Sequence, residues 1–234
     1  MTKVAFLIPS TTNKRDEWQT AEDTYLWNIL CDTLDRYTPQ HEIKLFVGYD
    51  DDDRIYSIAE ERLKFKARFM NFKIEWFPMI HLKGKVTKIW NKLGEEALKQ
   101  GYDYMKVLGD DIRMPNDIGW LGCFINKLKK NSNIGFSAGW SNNDQIPTQF
   151  LIHKIHINIF GFIYPNEIPN WGCDNWMYEI YPEKYRMWIK SFPLLNVGGQ
   201  PRYQIHFSEK YVDALVRRHK PKFNKFISEY AEKN

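Results

Sequence analysis

Two adjacent carboxylates, Asp110 and Asp111, follow a short and mostly apolar segment that begins at Tyr104. Apolar runs of this length, bounded by polar residues, are typical of buried strands. Two carboxylates at the end of such a strand repel each other unless a cation lies beside them. Carboxylate oxygens suit Mg²⁺ or Mn²⁺, and these ions suit a phosphate-bearing substrate. An acidic, solvated turn after a strand would give the same local pattern, so both interpretations stay open for the pair alone.

A second acidic cluster, Asp50 to Asp53, follows an earlier apolar segment. The patterns in the first half predict strands at 4–8, 43–48, 72–77 and from 104, alternating with helices at 18–37, 54–70 and 86–99. This alternation predicts a mostly parallel sheet with helices on both faces. Ligands of such sheets bind beyond the carboxyl ends of the strands, which is where both acidic clusters fall.

The second half of the chain has a less regular pattern. It predicts a helix at 117–130 capped by Asn116 or Asp117, a strand at 134–138, strands within 149–162, a loop at 165–176 and a helix at 175–181. Ser208 predicts the cap of a helix that runs through His219, and Pro221 predicts the start of a last, basic helix. We find no repeat, low-complexity tract or linker, so we expect a single domain over residues 1–234.

Composition limits the function further. The formal net charge of +4 suits an anionic small ligand and falls short of what nucleic-acid binding requires. The three cysteines, Cys31, Cys123 and Cys173, are too widely spaced for a disulfide framework or a zinc site, which favours a reducing compartment. The apolar stretch at the N-terminus is too short for a signal peptide or a spanning helix. We therefore expect a cytoplasmic protein with no membrane span and no nucleic-acid partner.

Five segments, in this order, carry a resemblance to a known family: VAFLIPST (4–11), FVGYDD (46–51), KIWNKLGEEA (88–97), LGDD (108–111) and WGCDNW (171–176). The chain resembles the GT-A-fold glycosyltransferases, which use nucleotide-diphospho-sugars. The resemblance covers about residues 3–207, and the Lys-, Asn- and Ile-rich composition is similar to that of glycosyltransferases of large DNA viruses. It implies an α/β fold that is GT-A-like and Rossmann-like, with a mostly parallel central sheet, helices on both faces and a less regular, acceptor-side C-terminal half.

The resemblance implies a divalent cation, Mn²⁺ or Mg²⁺. The family's Asp-x-Asp motif appears here as Gly109-Asp110-Asp111, with glycine at the first position. Aligned in this way, Asp111 is the metal ligand and Asp110 makes a ribose or water-mediated contact, although the reverse assignment is open. His206 resembles the late histidine that completes the metal shell in many of these enzymes, while a lone His between apolar residues is also a common structural residue.

The resemblance also implies a nucleotide-binding set, which comprises Pro9, Thr11, Thr12, Asp50, Lys88, Asn91 and Asp110. The first three residues belong to the loop that wraps the base in the family, and Asp50 takes the place of the acidic residue that contacts uracil or ribose. Lys88 and Asn91 lie three positions apart on one helix face. Threonines that only form a turn, a solvated acidic loop and a solvated lysine are the alternatives.

Sugar transfer also needs a base for the acceptor hydroxyl, and Asp174 is the candidate. A base on the side of the sugar away from the diphosphate inverts the anomeric centre. Asp174 precedes a predicted helix and could instead be an ordinary N-cap, and Glu179 and Glu167 are weaker candidates. Three tryptophans could stack on sugar faces or belong to the core, and these are Trp140, Trp171 and Trp176.

The sequence therefore predicts a metal-dependent, inverting glycosyltransferase that moves a sugar from a UDP-sugar donor to a glycan or glycoconjugate acceptor. Residues 1–112 would form the nucleotide-sugar half, residues 113–207 the acceptor and catalytic half, and residues 208–234 the C-terminal helices. A sugar-nucleotidyltransferase is an alternative, but the loop after the first strand lacks the glycines that its phosphate site would need. A nucleotide- or carbohydrate-binding module without catalysis is a second alternative, because the first Asp of the motif is missing.

Overall fold

The computed structural model describes residues 2–232 and contains nine strands and seven α-helices in that range. The strands are β1 (Lys3–Ser10), β2 (Glu42–Asp50), β3 (Lys73–Met79), β4 (Tyr104–Val107), β5 (Ile112–Arg113), β6 (Phe136–Trp140), β7 (Leu151–His153), β8 (Arg186–Pro193) and β9 (Leu195–Asn196). The helices are α1 (Asp32–Arg36), α2 (Ala59–Arg68), α3 (Val86–Lys99), α4 (Trp120–Lys130), α5 (Lys154–Phe160), α6 (Cys173–Ile180) and α7 (Glu209–Ala231).

Seven strands form the central sheet, in the order β3-β2-β1-β4-β7-β6-β8. β1 pairs in parallel with both β2 and β4, β2 with β3, and β6 with β8, whereas β7 runs antiparallel to its two neighbours. The predicted mostly parallel sheet is confirmed. Since β1, β2 and β4 run in the same direction, the segments that follow them come together at one edge of the sheet.

Helices cover both faces of the sheet, as predicted. One face packs against α2, α4 and the segment before α1, with Phe65, Trp120 and Phe124 in its core. The other packs against α3, α5, α6 and α7, with Trp176 and Phe223 in its core. Burial of each large apolar side chain is worth about 1.5–3 kcal/mol, which is what fixes the helices on the sheet. None of the helices within residues 2–232 combines the length and the apolar character needed to cross a bilayer.

α3 spans the predicted residues and positions the strand ends beside the acidic pair. The indole N–H of Trp90 donates to the main-chain oxygen of Leu7 at 3.1 Å and to that of Leu108 at 3.3 Å. The Leu7 carbonyl belongs to β1 and the Leu108 carbonyl to the segment that follows β4, so the Trp90 side chain holds these two neighbouring segments together. Asp110 follows Leu108 by two residues, and its position therefore depends on this contact.

A buried amide, that of Asn91, ties α3 to the segment that follows α5. Asn91 Oδ1 accepts from the main-chain nitrogens of Ile163 and Tyr164, at 2.9 and 3.0 Å. Its Nδ2 donates to the Tyr164 oxygen at 2.7 Å and to Asn166 Oδ1 at 2.9 Å. All of these bonds lie within the fold, so Asn91 connects α3 to main-chain groups that have no strand partner.

The prediction of strands within 149–162 holds for one short strand and was wrong for the rest of the range. Only Leu151–His153 is a strand, and α5 follows it directly. His153 caps α5 by accepting from the Ile155 nitrogen, and His156, Ile159 and Phe160 are the buried residues of the helix. Their spacing of three and four residues is the period of a helix, which outweighs the β-branched character of the segment.

The predicted break at Pro221 was also wrong, because α7 is continuous through it. Val212, Leu215, His219 and Phe223 keep one buried face on both sides of the proline. A proline inside a helix costs about 3 kcal/mol. Burial of this continuous face, which packs against α5 and α6, offsets that cost.

Three predicted helices begin later than expected. Residues 18–37 contain a 3₁₀ turn and a π-helix before α1, and α2 begins at Ala59 rather than at residue 54. α4 begins at Trp120 with Gly119 at its N-cap, while Asp117 accepts from the Gly119 nitrogen at 2.6 Å. The polar residues that were expected to cap α4 instead form the turn that precedes it, since short polar side chains favour local main-chain bonds.

We expect Asn91→Ala to lower the free energy of unfolding by about 1–3 kcal/mol, the usual effect of leaving buried polar groups without a partner. Chemical denaturation followed by circular dichroism measures this change. Lys92→Ala, at the exposed neighbouring position of the same helix, is the control and should stay within about 0.5 kcal/mol of the unaltered protein. Equal stability of the Asn91 and Lys92 variants would contradict the proposed contribution of the Asn91 hydrogen bonds to stability.

Candidate functional site

A cleft of about 1680 Å³ lies at the edge of the sheet where β1, β2 and β4 end. The residues that line it include Pro9, Thr11, Asp50, Asp110, Asp111, Asp174 and His206. These come from the nucleotide, metal and catalytic sets of the sequence prediction, and the fold brings them together from distant parts of the chain. Thr12, Lys88 and Asn91 are not among the residues that line it.

Asp110 is almost completely buried and strongly paired. Its Oδ2 accepts from Ser10 Oγ at 2.6 Å, and Ser10 Oγ lies 3.0 Å from the Tyr56 hydroxyl. Arg202 Nη1 donates to the same oxygen at 2.7 Å, and Arg202 Nη2 donates to Oδ1. Asp110 therefore has a bidentate guanidinium partner, the strongest geometry for a carboxylate ion pair.

Asp111 is more accessible than Asp110 and carries a perturbed carboxyl group. Burial and the neighbouring charge of Asp110 raise the pKa of Asp111 to about 6, although Arg202 and a hydrogen bond with Asn196 oppose the shift. Arg202 Nη2 lies 4.0 Å from Asp111 Oδ2. The main chain of Gly198 lies directly against this carboxylate, so that a side chain at position 198 would overlap it.

Asp50 and Asp53, in the acidic cluster at the end of β2, have different roles. Asp50 is buried at the cleft and accepts from Thr11 Oγ1 at 2.7 Å, and burial raises its pKa although the Thr11 bond opposes the shift. Asp53 accepts from the nitrogens of Thr12, Ile55 and Tyr56, at 2.7, 3.1 and 2.9 Å. Asp53 thus fixes the turn that follows β2, and the side-chain oxygen of Thr12 is also committed to it.

Asp174 lies in the second position of α6 and lines the same cleft as the acidic pair. Gly172, whose φ of 92° places it in the left-handed region, is the N-cap residue of the helix, so the N-cap interpretation of Asp174 has no support. Burial raises the pKa of Asp174 to about 7. A carboxyl group in a cleft with this pKa exchanges a proton near neutral pH, which is the property of a general base.

The alternative bases are paired with arginines. Glu167 lines the cleft but forms an ion pair with Arg218. Glu179 is exposed, lies 3.9 Å from Arg186 and is not among the residues that line the cleft. Burial would raise the pKa of Glu167, but the hydrogen bond and charge of Arg218 outweigh it, so the pKa is lowered. Glu167 is therefore a poorer proton acceptor near neutral pH than Asp174, and Glu179 lies outside the cleft.

The three candidate tryptophans have different surroundings. Trp171 is about half exposed and lines the cleft, next to Gly172 at the start of α6. Trp176 is completely buried in the core between the sheet and α7. Trp140 is partly exposed at the end of β6 and is not among the cleft residues. Of the three, Trp171 is the one that lines the cleft, so it is the one that can contact a ligand there.

Comparison with known proteins identifies the fold. No family model and no curated protein sequence matches the chain. TarS of S. aureus (residues 1–349) superposes with a TM-score of 0.53 and 11% identity over 82% of this chain and 60% of that fragment. The mannosyltransferase PcManGT from Pyrobaculum calidifontis, solved with GDP-Man and Mn²⁺, gives a TM-score of 0.59 and 9% identity over 85% of this chain and 58% of that one.

The protein has a GT-A-like fold. A protein named as a nucleotide-diphospho-sugar transferase, from Desulfovibrio desulfuricans G20, has 16% identity and a TM-score of 0.50 over 94% of this chain and 99% of its own length. The chain spans about 60% of the TarS fragment and 58% of the mannosyltransferase. At these identities the similarity concerns the fold, and the activity has to be argued from the cleft.

The GT-A fold implies a divalent cation at the acidic pair, and the residues present fit one only in part. Asp111 offers a hard oxygen ligand that faces the cleft, and Mn²⁺ or Mg²⁺ needs only one or two carboxylates beside water and phosphate oxygens. Both oxygens of Asp110 are taken by Arg202 and Ser10. His206 lines the cleft, but within residues 2–232 no three His, Cys, Asp or Glu side chains are grouped to hold a metal. A fit through both aspartates requires Arg202 to leave Asp110.

Sequence reasoning missed two residues that organise this GT-A cleft. Arg113, the basic residue close to the pair in sequence, is exposed on β5, and the cation that reaches the pair is Arg202, ninety-two positions after Asp110. Asn170 is buried, donates to the oxygens of Gly84 and Gln204, and accepts from the nitrogens of Trp171 and His206. Nothing in the local sequence distinguishes either residue from an ordinary loop residue.

We expect Asp174→Asn to stabilise the protein at about pH 8 and to leave its stability unchanged near pH 3. The pKa of Asp174 is raised to about 7 in the folded protein from an ordinary value of 3.8, so ionisation is disfavoured by folding. The unaltered protein therefore loses free energy of unfolding as the pH rises from about 4 to about 7, and the amide removes that loss.

Thermal unfolding at a series of pH values measures this effect. Asp213→Asn, which changes an exposed carboxylate on α7, is the matched control; because it keeps Asp174, its melting temperature should follow that of the unaltered protein at each pH. A lower melting temperature for Asp174→Asn at about pH 8 would show that the carboxylate stabilises the fold.

Proposed function

We propose that the protein is a glycosyltransferase that moves a sugar from a UDP-sugar to a hydroxyl group of a glycan or glycoconjugate, with inversion and with the help of Mn²⁺ or Mg²⁺. The observation that carries this proposal is the arrangement of two unlike acidic sites in one cleft. The acidic pair lies at the end of β4, and Asp174, with a pKa of about 7, lies at the start of α6. The GT-A-like fold supports the same assignment.

The donor would bind at the carboxyl ends of β1 and β2. Pro9 and Thr11 line the cleft there, and Asp50 faces it with one carboxylate oxygen bonded to Thr11. A carboxylate at this position accepts hydrogen bonds from ribose hydroxyls or from the N–H of a uracil ring. A divalent cation held by Asp111 would neutralise the charge that develops on the diphosphate leaving group.

The acceptor would bind beside α6, where Asp174 takes the proton from its attacking hydroxyl. Attack from that side, away from the diphosphate, gives a product with inverted configuration. Trp171 is exposed next to this position, and an exposed indole face suits the apolar face of a sugar ring. The raised pKa of Asp174 makes its carboxylate a stronger base than an ordinary aspartate.

A non-catalytic nucleotide- or carbohydrate-binding module is the second candidate. Gly109 stands where the family's motif has its first Asp, and the remaining Asp110 is already paired with Arg202. Hydrolysis of UDP-sugars in the presence of Mn²⁺ separates the two candidates, because a binding module would show none. Thermal stabilisation by UDP, GDP and CMP, each with and without Mn²⁺, identifies the nucleotide independently of catalysis.

We expect Asp111→Asn to abolish the metal-dependent part of UDP affinity and Asp50→Ala to weaken UDP binding whether or not metal is present. Asp111 is the proposed ligand of the cation, whereas Asp50 is proposed to contact the nucleoside directly. A hydrogen bond to a charged group contributes about 1.5–3 kcal/mol. Calorimetric titration of UDP with and without Mn²⁺ distinguishes the two variants. Metal-dependent affinity that survives in Asp111→Asn would remove this residue from the metal site.

We expect Asp174→Asn to reduce transfer by about 10²–10⁴-fold, the usual contribution of a positioned base, with UDP and Mn²⁺ affinities close to those of the unaltered protein. The rate of the unaltered enzyme should rise with pH through about 7, because only the ionised carboxylate accepts a proton. NMR of the product should show inverted configuration.

Glu179→Gln is the control for the loss of a carboxylate near α6, and its rate should be unchanged. Glu167→Gln tests the other acidic side chain of the cleft. A normal rate in Asp174→Asn together with a loss in Glu167→Gln would move the base to Glu167, and a retained anomeric configuration would exclude single-step transfer assisted by either residue.

A further inference from the structure

The segment 197–208, which we term the strap, connects β9 to α7 and crosses the cleft. At its start, the Val197 nitrogen donates to the main-chain oxygen of Asp111 at 3.0 Å, and the Gly198 main chain lies against the Asp111 side chain. At its end, the Asn170 amide holds the main-chain groups of Gln204 and His206. The strap therefore lies over the acidic pair and contributes to the cleft wall.

The strap is also held by the loop that follows β1. Arg15 Nη2 donates to the oxygens of Gly198 and Gln200, at 3.3 and 2.7 Å. Asn13 Nδ2 donates to the oxygen of Arg202 at 2.7 Å. These contacts bind main-chain groups of the strap, and they are independent of any charge on the acidic pair.

Arg202 is the side chain of the strap that reaches the acidic pair. Its side chain is 11% exposed, the guanidinium donates through both terminal nitrogens to Asp110, and Nη1 also donates to the main-chain oxygen of Thr11 at 2.7 Å. Its central carbon lies 5.4 Å from the Tyr25 ring centre and 6.0 Å from that of Trp18, so the cation is packed against two aromatic rings. Arg202 is thus held in a fixed position by buried contacts and is not a solvated surface arginine.

The charges at this point do not balance. Two aspartates face one guanidinium, which pairs with Asp110 in a bidentate manner and lies 4.0 Å from Asp111. Coordination of both carboxylates by a divalent cation would need Asp110 oxygens that Arg202 now occupies, at a distance of about 2.0–2.1 Å in the case of Mg²⁺. A guanidinium held at the same oxygens would repel that cation. The two positive groups therefore compete for Asp110.

We propose that Arg202 is a built-in counter-cation of the acidic pair, which must leave Asp110 before a divalent cation can bind both carboxylates, and that its departure loosens the strap. The inference rests on the proposed metal dependence of the transferase. Without metal, Arg202 neutralises the pair and holds the strap across the cleft. With metal, Arg202 is released from Asp110, and the strap keeps its main-chain contacts, which are those with Asp111, Arg15, Asn13 and Asn170. Binding of the metal and movement of the strap become one coupled equilibrium.

Mn²⁺ affinity of the whole protein tests the first half of this inference. Free Mn²⁺ is measured by electron paramagnetic resonance during titration in the absence of nucleotide. We expect Arg202→Ala to bind Mn²⁺ about tenfold more tightly than the unaltered protein or more, in the range usual for coupled binding. Arg202→Lys should lie between the two, because an ammonium group keeps the charge but loses the two parallel bonds.

Arg15→Ala is the matched control for the strap. It removes contacts with the strap main chain and leaves the cation at Asp110, so any gain in its Mn²⁺ affinity through the coupled equilibrium should be much smaller than that of Arg202→Ala. Melting curves of each variant establish that it is folded, and Arg202→Lys carries the test if Arg202→Ala is not. Equal Mn²⁺ affinity of the unaltered protein and a folded Arg202 variant would overturn the competition.

Limited proteolysis tests the coupling to the strap. Chymotrypsin can cut after Tyr203 or Phe207, which lie in the strap in every variant. We expect Mn²⁺ to accelerate cleavage there in the unaltered protein. Without Mn²⁺, Arg202→Ala should be cleaved as fast as the unaltered protein is with Mn²⁺. Cleavage that does not respond to bound Mn²⁺ would overturn the coupling. Absence of Mn²⁺ binding in every variant, with or without UDP, would instead reject the metal dependence of the proposed function, and this inference with it.

Discussion

Parallel pairing of β1 with β2 on one side and β4 on the other is the constraint on which the cleft depends. Because the three strands run in the same direction and are held in register, Ser10, Asp50 and Asp110 arrive at the same edge of the sheet. Trp90 reinforces this arrangement by bonding to carbonyls at the ends of two neighbouring segments. Groups separated by tens of residues thereby become hydrogen-bond partners, as Ser10 and Asp110 show.

A sheet edge that collects carboxylates also collects negative charge that burial makes unfavourable. Asp110 is withdrawn from solvent, and a buried carboxylate without a partner is strongly destabilising. The fold meets this requirement with Ser10 and with Arg202, whose own burial against Trp18 and Tyr25 fixes its direction. The strap is therefore part of the electrostatic balance of the cleft as well as part of its wall.

Within residues 2–232, Asp174, unlike Asp110, has no cationic partner that compensates for the burial of its carboxylate. Burial alone raises its pKa to about 7, and the fold leaves this unfavourable group in place. Structural carboxylates of this protein, such as Asp53, are surrounded by main-chain N–H donors. A carboxylate that is desolvated without such donors lowers stability at neutral pH, and sites that sacrifice stability in this way are commonly functional.

The sequence by itself determined the strands of the first half, helix α3, the parallel sheet and the position of both acidic clusters, because each depends on local periodicity and on the direction of the strands. It placed Asp50 and Asp111 at one edge of the sheet, since each stands at the end of a strand, and the family resemblance added Asp174; all three line one cleft. Only the tertiary structure decided that Asp53 and Asn91 serve the fold, that α7 passes through Pro221, and that Arg202 is the partner of Asp110. These outcomes depend on which distant groups remain unpaired once the chain is packed, and no local pattern of residues contains that information.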